Sequence, residues 1–163
     1  MKKTGLDRTD LRILSAIQEH GRVSKSRLAE LVNLSPTPCW ARLERLKAGG
    51  YIKGFHANLA LNKICNFAEV IVTVALTQHR KIDFDRFEAE INKRPEITEC
   101  VSTGGGMDYV MKVVSPNLEA FQNMMDSLLA LEIGIEKYMT YIVTRRVKSQ
   151  RPDVIHLATY DQF

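Results

Sequence analysis

The sequence lacks the cysteine and histidine patterns of disulfide-bonded and metal-binding proteins. Its 163 residues include only three cysteines, Cys39, Cys65 and Cys100, and no two of them have the spacing of a metal or redox motif. We therefore expect three free thiols that pack as small hydrophobic side chains. The four histidines are equally scattered, so neither a metal site nor a cofactor is predicted.

Long hydrophobic runs are also absent. No segment approaches the roughly 20 apolar residues that a membrane-spanning helix needs. The two lysines near the N-terminus are not followed by the apolar stretch of a secretory signal. The composition is ordinary, with 45% hydrophobic and 26% charged residues. These features predict a cytoplasmic protein of one or two small domains, with no membrane partner.

Charge is divided unevenly along the chain. Residues 1–56 contain 11 Lys and Arg against 5 Asp and Glu, a net charge of +6. Residues 57–163 contain 12 against 14, a net charge of −2, and the two values sum to the +4 of the whole chain. This asymmetry predicts two domains with different partners. The basic part suits nucleic acid, but a solvated lysine-rich surface would have the same composition.

The first 50 residues contain three predicted helices. Asp7 and Asp10 have the spacing of a capping box at the start of the first helix. Ser24 can cap a second helix, and Ser35, followed by proline, can begin a third that stops at two glycines. A longer helix followed by two helices around a tight turn predicts a helix-turn-helix. The second helix of such a pair enters the major groove of DNA.

A helical projection of the third helix separates an apolar side from a polar one. Cys39, Leu43 and Leu46 are predicted to face the core. The opposite side carries short and polar residues, which suit close approach to base edges. For Arg42 an ion pair with an acidic residue of the first helix is slightly favoured over base contact. Trp40 could pack between helices or contact a phosphate. The predicted DNA-contacting residues are Ser35, Thr37, Trp40, Ala41, Arg42, Glu44, Arg45, Lys47, Lys25 and Lys53.

The segment after the third helix predicts a wing. Its apolar residues lie in short extended pieces broken at Lys53-Gly54, as in a small hairpin over residues 51–61. We expect a DNA-binding domain over residues 1–56 and a linker that includes the wing strand over residues 57–68.

From Glu69 onward, strands and helices alternate. Strands are predicted in EVIVTVALT, ITECVSTG, MDYVMKVVS and IEKYMTYIVTRRVK, and helices in IDFDRFEAEINKRP and NLEAFQNMMDSLLAL. The order βαββαβ is that of a ferredoxin-like domain, predicted over residues 69–148, so the fold class is α+β. The second helix of this domain has an apolar face of Leu118, Phe121, Met125 and Leu128.

The predicted sheet has one face without helices. We expect that face to bury apolar residues such as Val72, Val74 and Val113, or their neighbours, in a dimer, because so small a domain does not usually expose a large apolar surface. A tail over residues 149–163 follows the last strand, and extra dimer packing is the simplest role for it.

The glycine run STGGGMDY, residues 102–109, is not a dinucleotide fingerprint, because a strand and not a helix follows it. It can form a tight hairpin turn that needs glycine for a positive φ. It can also let the charged groups of a ligand approach backbone N–H groups. Asp108 likewise can bond backbone within its own turn or hold a ligand's ammonium group.

Three motifs together resemble the Lrp/AsnC family, the feast/famine regulators of bacteria and archaea. They are LDRTDLRIL, SKSRLAELVNLSPTPCWARLERLKAGGYI and GGMDYVMKV, and the resemblance covers roughly residues 6–148. SPTPC followed by RLERL is similar to the leucine-responsive branch. The resemblance implies a transcriptional regulator, not an enzyme, that binds double-stranded DNA. It also implies dimers that assemble into tetramers or octamers, and control of a nearby catabolic or transport operon.

The resemblance further implies a small effector, an amino acid or a derivative of one, that binds between dimers at the turn after the second strand. Gly105 and Asp108 match the family's G-x-x-D turn, and the start of the last strand often forms the opposing wall. The run of three glycines departs from the family, in which Asp-Tyr or Glu-Tyr is common there. The implied effector-binding residues are Thr103, Gly104, Gly105, Gly106, Met107, Asp108, Tyr109, Gly134, Tyr138 and Thr140.

Two alternatives accompany this interpretation. Some proteins with the same two-domain architecture are sirohaem decarboxylases, which would need a tetrapyrrole pocket with histidine and arginine. Here His79 and His156 are isolated in the sequence. The other alternative is an architectural DNA-binding protein without an effector, which binding measurements against the amino acids would distinguish.

Overall fold

A computed structural model describes residues 5–160. These residues form two compact units. The first unit contains residues 5–58 and 148–160, and the second contains Leu59–Val147. No helix among residues 5–160 is both long enough and apolar enough to cross a membrane.

The first unit has the three helices that the sequence predicts. They are α1 (Arg8–His20), α2 (Lys25–Leu31) and α3 (Pro36–Ala48). Asp7 and Asp10 form the expected capping box, and the Ser24 hydroxyl accepts a hydrogen bond from the Arg27 N–H. The three helices enclose a small core of buried side chains, which are Ile13, Ile17, Leu28, Ala29, Val32, Cys39, Leu43 and Leu46.

The predicted wing hairpin is not formed. Residues 52–60 are irregular and pair with no strand, and a single 3-10 turn follows at Leu61–Lys63. Ile52 and Phe55 pack instead against the helical core of this unit. The apolar residues of the segment are therefore used in contacts with helices and not in a strand pair, and Leu59 remains 61% exposed.

The second unit has the predicted βαββαβ order. Its elements are β1 (Ala68–Leu76), α4 (Lys81–Ile91), β2 (Ile97–Ser102), β3 (Tyr109–Ser115), α5 (Leu118–Leu129) and β4 (Ile135–Ile142). All neighbouring strands are antiparallel, in the order β2-β3-β1-β4. Because β1 lies in the middle of the sheet, its C-terminal end lies between β3 and β4.

The three valines that we named for the open face of the sheet lie on its covered face, and their neighbours lie on the open face. Val72, Val74 and Val113 are fully buried against side chains of α4 and α5. The strand register pairs Thr73 with Val110 and with Met139, so these three residues lie on the opposite, open face. A continuous β-branched run such as that of β1 does not reveal which alternate residues face the helices.

Two element details also differ from the prediction. Leu118 is 46% exposed, and Met124 is buried on the apolar face of α5 in its place. The last strand ends at Ile142 and not at Lys148. β4 pairs only with β1, which begins at Ala68, so β4 has no partner strand to continue along.

The C-terminal segment contains a sixth helix, α6 (Val154–Thr159). The Asp153 carboxylate caps it by accepting the N–H groups of Ile155 and His156. This helix packs against α1, so the segment that we treated as a separate tail is part of the first unit.

Candidate functional site

The polar side of α3 is exposed as the projection predicts. Thr37, Ala41, Glu44 and Arg45 are exposed, while the apolar residues on the other side are buried in the core. Small side chains near the N-terminal half of the helix leave its backbone accessible. The polar side of α3 can therefore enter a groove of DNA while its apolar side stays packed in the protein core.

A buried carboxylate ties α3 to α1. Asp10 is fully buried, and its two oxygens accept hydrogen bonds from Arg42 Nη1 at 2.8 Å and from Arg45 Nη2 at 2.5 Å. Arg42 Nη1 also donates to Asp7 at 2.5 Å. The structure therefore contains the ion pair that we slightly favoured for Arg42, and it adds a second arginine, Arg45, which we had predicted only as a DNA-contacting residue.

The pKa values of the exposed members of this network shift accordingly. The backbone N–H of Asp10, and then the Arg42 guanidinium, hold the pKa of the Asp7 carboxyl below its ordinary value. Hydrogen bonds to Asp7 and then to Asp10 raise the pKa of Arg42. The Arg45 side chain remains 60% exposed although one of its nitrogens is anchored. Arg45 can thus offer its remaining donors to a ligand from a fixed position.

The lysines predicted to bind DNA have different environments. Lys25 Nζ lies 4.1 Å and Lys47 Nζ lies 4.9 Å from the centre of the Trp40 ring, which is half-buried against the helical core. Lys47 also pairs with Glu44 at 2.9 Å. Lys53 and Ser35 are exposed, and Ser35 makes no side-chain cap bond although it precedes α3.

In the second unit, Asp108 joins the glycine turn to β1. Its backbone N–H donates to the carbonyl of Val74, and its carboxylate accepts the N–H of Leu76 at 2.7 Å. The same carboxylate lies 3.1 Å from His79 Nε2. Asp108 therefore bonds the neighbouring strand and not only its own turn. A carboxylate has about four lone-pair positions, so these contacts leave capacity for a further donor.

The glycine turn presents unused backbone donors. Thr103 closes it, because its N–H donates to the Asp108 carbonyl and its hydroxyl to the Met107 carbonyl. Gly105 has a φ of 132°, a value that side chains disfavour, as expected for a glycine turn. Within residues 5–160, the N–H groups of Gly104, Gly105 and Gly106 have no intramolecular acceptor. Unpaired backbone N–H groups can donate hydrogen bonds to a carboxylate.

The start of the last strand, which the resemblance implies as the opposing wall of the effector site, lies on the other side of β1 from the glycine turn. The carbonyl of Gly134 accepts the N–H of Thr77 at 2.8 Å, directly after the point at which Leu76 bonds Asp108. Tyr138 is half-buried against the sheet core and Thr140 is exposed. The structure thus brings the two predicted segments to the same end of the sheet, with the end of β1 between them.

Tyr109 is less available than its neighbours. It is only 2% exposed, and its hydroxyl donates to Glu88 at 2.7 Å. Burial, followed by the hydrogen bond to Glu88, raises its pKa. Burial also raises the pKa of Cys100 on the adjacent β2 to about 11, with a further contribution from Glu88. Tyr109 therefore supports the base of the turn, and its hydroxyl is not free for a ligand.

His79 is a member of this cluster that we did not predict. We described it as isolated, but it follows the end of β1 and contacts Asp108, and its ring lies 6.0 Å from that of Phe84. The strand register of the structure, which the sequence alone does not supply, accounts for this contact. Val74 pairs with Tyr109, which brings the residues after β1 beside the glycine turn.

Comparison with known proteins agrees with this architecture. The description "Winged helix-turn-helix DNA-binding" matches residues 6–53, and "Lrp/AsnC ligand binding domain" matches residues 69–153. The chain belongs to the Lrp/AsnC family. It is a DNA-binding transcriptional regulator, and this assignment is favoured over the decarboxylase and architectural alternatives.

Individual Lrp/AsnC relatives are similar over nearly the whole chain. The transcriptional regulatory protein DoeX of Halomonas elongata is 44% identical, over 88% of this chain and 90% of DoeX. The leucine-responsive regulatory protein of Salmonella typhimurium is 35% identical, over 92% of each chain.

Solved structures give the same result. An AsnC family transcriptional regulator from Agrobacterium tumefaciens is 28% identical with a TM-score of 0.82, over 90% of this chain and 97% of that one. A transcriptional regulator from Neisseria meningitidis in complex with L-methionine is 28% identical with a TM-score of 0.81, over 88% of this chain and 93% of that one.

Proposed function

We propose that the exposed side of α3 reads a specific DNA sequence, and that an amino acid or amino-acid derivative bound at the glycine turn changes DNA binding or assembly. The target we propose is a local catabolic or transport operon. The observation that carries the DNA half of this proposal is the anchored but exposed guanidinium of Arg45. A side chain held in place before binding loses less conformational entropy when it contacts a base.

The effector half is supported by the chemistry of the turn. A free amino acid carries a carboxylate and an ammonium group. The unused N–H groups of Gly104 to Gly106 suit the carboxylate, and Asp108, with His79 beside it, suits the ammonium group. The Neisseria relative in complex with L-methionine supports an effector of this class.

We further propose that the protein acts as a homo-oligomer, built from dimers, in the cytoplasm. The open face of the sheet supports this assembly. Met139 and Tyr141 are each about half exposed there, at 48% and 52%, and Val101 is 46% exposed. An apolar surface of this kind is a common protein interface.

Substitution of Arg45 tests the DNA half. A duplex is first selected by the protein from a random library, and affinities for that duplex and for random DNA are measured by fluorescence anisotropy. We expect Arg45→Ala to weaken binding to the selected duplex roughly tenfold and to random DNA much less, because an arginine–guanine contact contributes about 1–3 kcal/mol of discrimination. Arg12→Ala, an exposed arginine of α1, is the control. Equal losses on both duplexes would make Arg45 a phosphate contact and not a base-reading residue.

A further inference from the structure

The ring of Trp40 lies close to the side chains of two lysines in the helix-turn-helix. It is the single tryptophan of the chain. The ammonium groups of Lys25 and Lys47 lie 4.1 Å and 4.9 Å from the centre of its ring. Lys25 is the first residue of α2, and Lys47 lies in the last turn of α3. Ammonium groups from two helices of the DNA-binding unit therefore lie against one aromatic ring.

The packing of Trp40 fixes where the two ammonium groups lie. The indole is half-buried and packs against the core formed by α1, α2 and α3, so the ring is held by the fold. An ammonium group over an indole face is attracted by the ring's quadrupole. The ring accepts no conventional hydrogen bond, so the N–H groups that point away from it can donate to a ligand, although Lys47 already uses one on Glu44.

The two lysines differ in their other contacts. Lys47 shares its charge with Glu44 at 2.9 Å. Among residues 5–160, no carboxylate lies within ion-pair distance of Lys25. An ammonium group without a carboxylate partner can bind an external anion, and phosphate is an anion that compact ammonium groups bind as point charges.

We propose that Trp40 is a positioning residue that holds Lys25 and Lys47 for contact with the phosphates of the DNA backbone. These lysines then fix the register of the protein on the duplex, and base reading is left to the exposed side of α3. This inference rests on the proposed DNA-binding function and adds to it a division between backbone-contacting and base-contacting residues.

The test uses the full-length protein and a short duplex of random sequence, whose affinity is measured by anisotropy over a series of salt concentrations. We expect Lys25→Gln and Lys47→Gln each to reduce the slope of log K against log salt by up to about 0.9, because each lysine releases counterions from a phosphate. Lys63→Gln, an exposed lysine of the second unit, should leave the slope unchanged. An unchanged slope in both Lys25→Gln and Lys47→Gln would overturn the proposal.

Substitution of the ring separates positioning from charge. Trp40→Phe keeps an aromatic face and should keep affinity within about twofold, whereas Trp40→Leu keeps both lysines but should lose affinity several-fold. Circular dichroism checks that Trp40→Leu remains folded. A folded Trp40→Leu protein with wild-type affinity would show that Trp40 only packs.

If Trp40→Leu does not fold, the fluorescence of Trp40 in the wild-type protein tests the proposed positioning role. Saturation of the wild-type protein with the duplex should change the indole emission, because phosphates then approach the ammonium groups that lie against the ring. The Lys25→Gln and Lys47→Gln double variant should lose most of this change. No change in the wild-type emission would contradict the proposal. Absence of any binding to DNA would instead refute the proposed function itself.

Discussion

At the scale of single residues, Asp10 has the largest structural role in the DNA-binding unit. It is fully buried and is bonded by two arginines of α3 and by the backbone N–H of Asp7. A buried carboxylate is favourable only when such partners satisfy it. Asp10 therefore links the cap of α1 to the position of α3, and the exposed arginine that we propose to read DNA depends on it.

Replacement of Asp10 should destabilise the first unit. Asp10→Asn removes the charge that holds Arg42 and Arg45, and we expect a loss of about 3 kcal/mol in the free energy of unfolding, measured by chemical denaturation. Asp7→Asn is the matched control. Asp7 is 52% exposed, and asparagine caps a helix as well as aspartate does, so the loss there should be much smaller. Equal losses in the free energy of unfolding for the two variants would show that the buried Asp10 ion pairs stabilise the unit no more than the exposed Asp7 pair does.

Low pH should weaken the hydrogen bonds that the Asp7 carboxylate accepts from the Asp10 N–H and from Arg42. The folded-state pKa of Asp7 is lowered, first by the Asp10 N–H and then by Arg42. Its contribution to stability is thus present above the ordinary aspartate pKa of about 3.9 and is lost as the pH falls through the lowered folded value. Thermal melting of wild type and Asp7→Asn between about pH 5 and pH 2 measures it. The difference between the two proteins should shrink toward the acid end, and a constant difference would contradict the assignment.

At the scale of elements, the helices and strands could be predicted from the sequence, but the segment between the two units could not. Caps and apolar periodicity are local signals, so α1 to α5 and β1 to β3 were found close to their observed bounds, whereas β4 ends earlier than predicted and α6 was not predicted. The wing failed because Ile52 and Phe55 have apolar partners in the helical core, which no local pattern reveals.

The candidate site was predicted in part for the same reason. The glycine turn is a contiguous segment whose position was predicted from the residues themselves, and the resemblance added its implied role in effector binding. The contacts of Asp108 with Leu76 and His79, and of Arg45 with Asp10, join residues that are far apart in the sequence. They depend on strand register and helix packing, which the sequence alone did not supply.

The glycine turn should tolerate substitution at one position and not at its neighbour. Gly105 has a φ of 132°, whereas Gly104 is outside the positive range and has open space where a Cβ would lie. We expect Gly105→Ala to destabilise the protein by about 1–3 kcal/mol and Gly104→Ala to be neutral, both measured by denaturant unfolding. A neutral Gly105→Ala would mean that the turn adopts another conformation.

At the scale of the whole molecule, the two units divide the work. The basic charge of residues 1–56 suits the DNA backbone, while the second part of the chain is mildly acidic and carries the glycine turn. Effector control then requires that ligand binding in the second unit alter either the assembly of the protein or the DNA binding of the first unit. Such a coupling is a free energy of typically 1–3 kcal/mol, or about 5- to 150-fold in affinity.

The most direct measurement is DNA affinity by anisotropy on the selected duplex, with and without each of the twenty amino acids and their common degradation products, for the wild type and for Asp108→Asn. Asparagine keeps an acceptor for the Leu76 N–H but removes the charge for an ammonium group. Asp126→Asn, which replaces an exposed carboxylate of the same unit, is the control. We predict that at least one of these compounds shifts the affinity of the wild type and of Asp126→Asn about fivefold or more. Asp108→Asn should bind DNA like the wild type but lose that shift. A wild-type affinity that none of these compounds changes, or an Asp108→Asn protein that responds normally, would contradict the account.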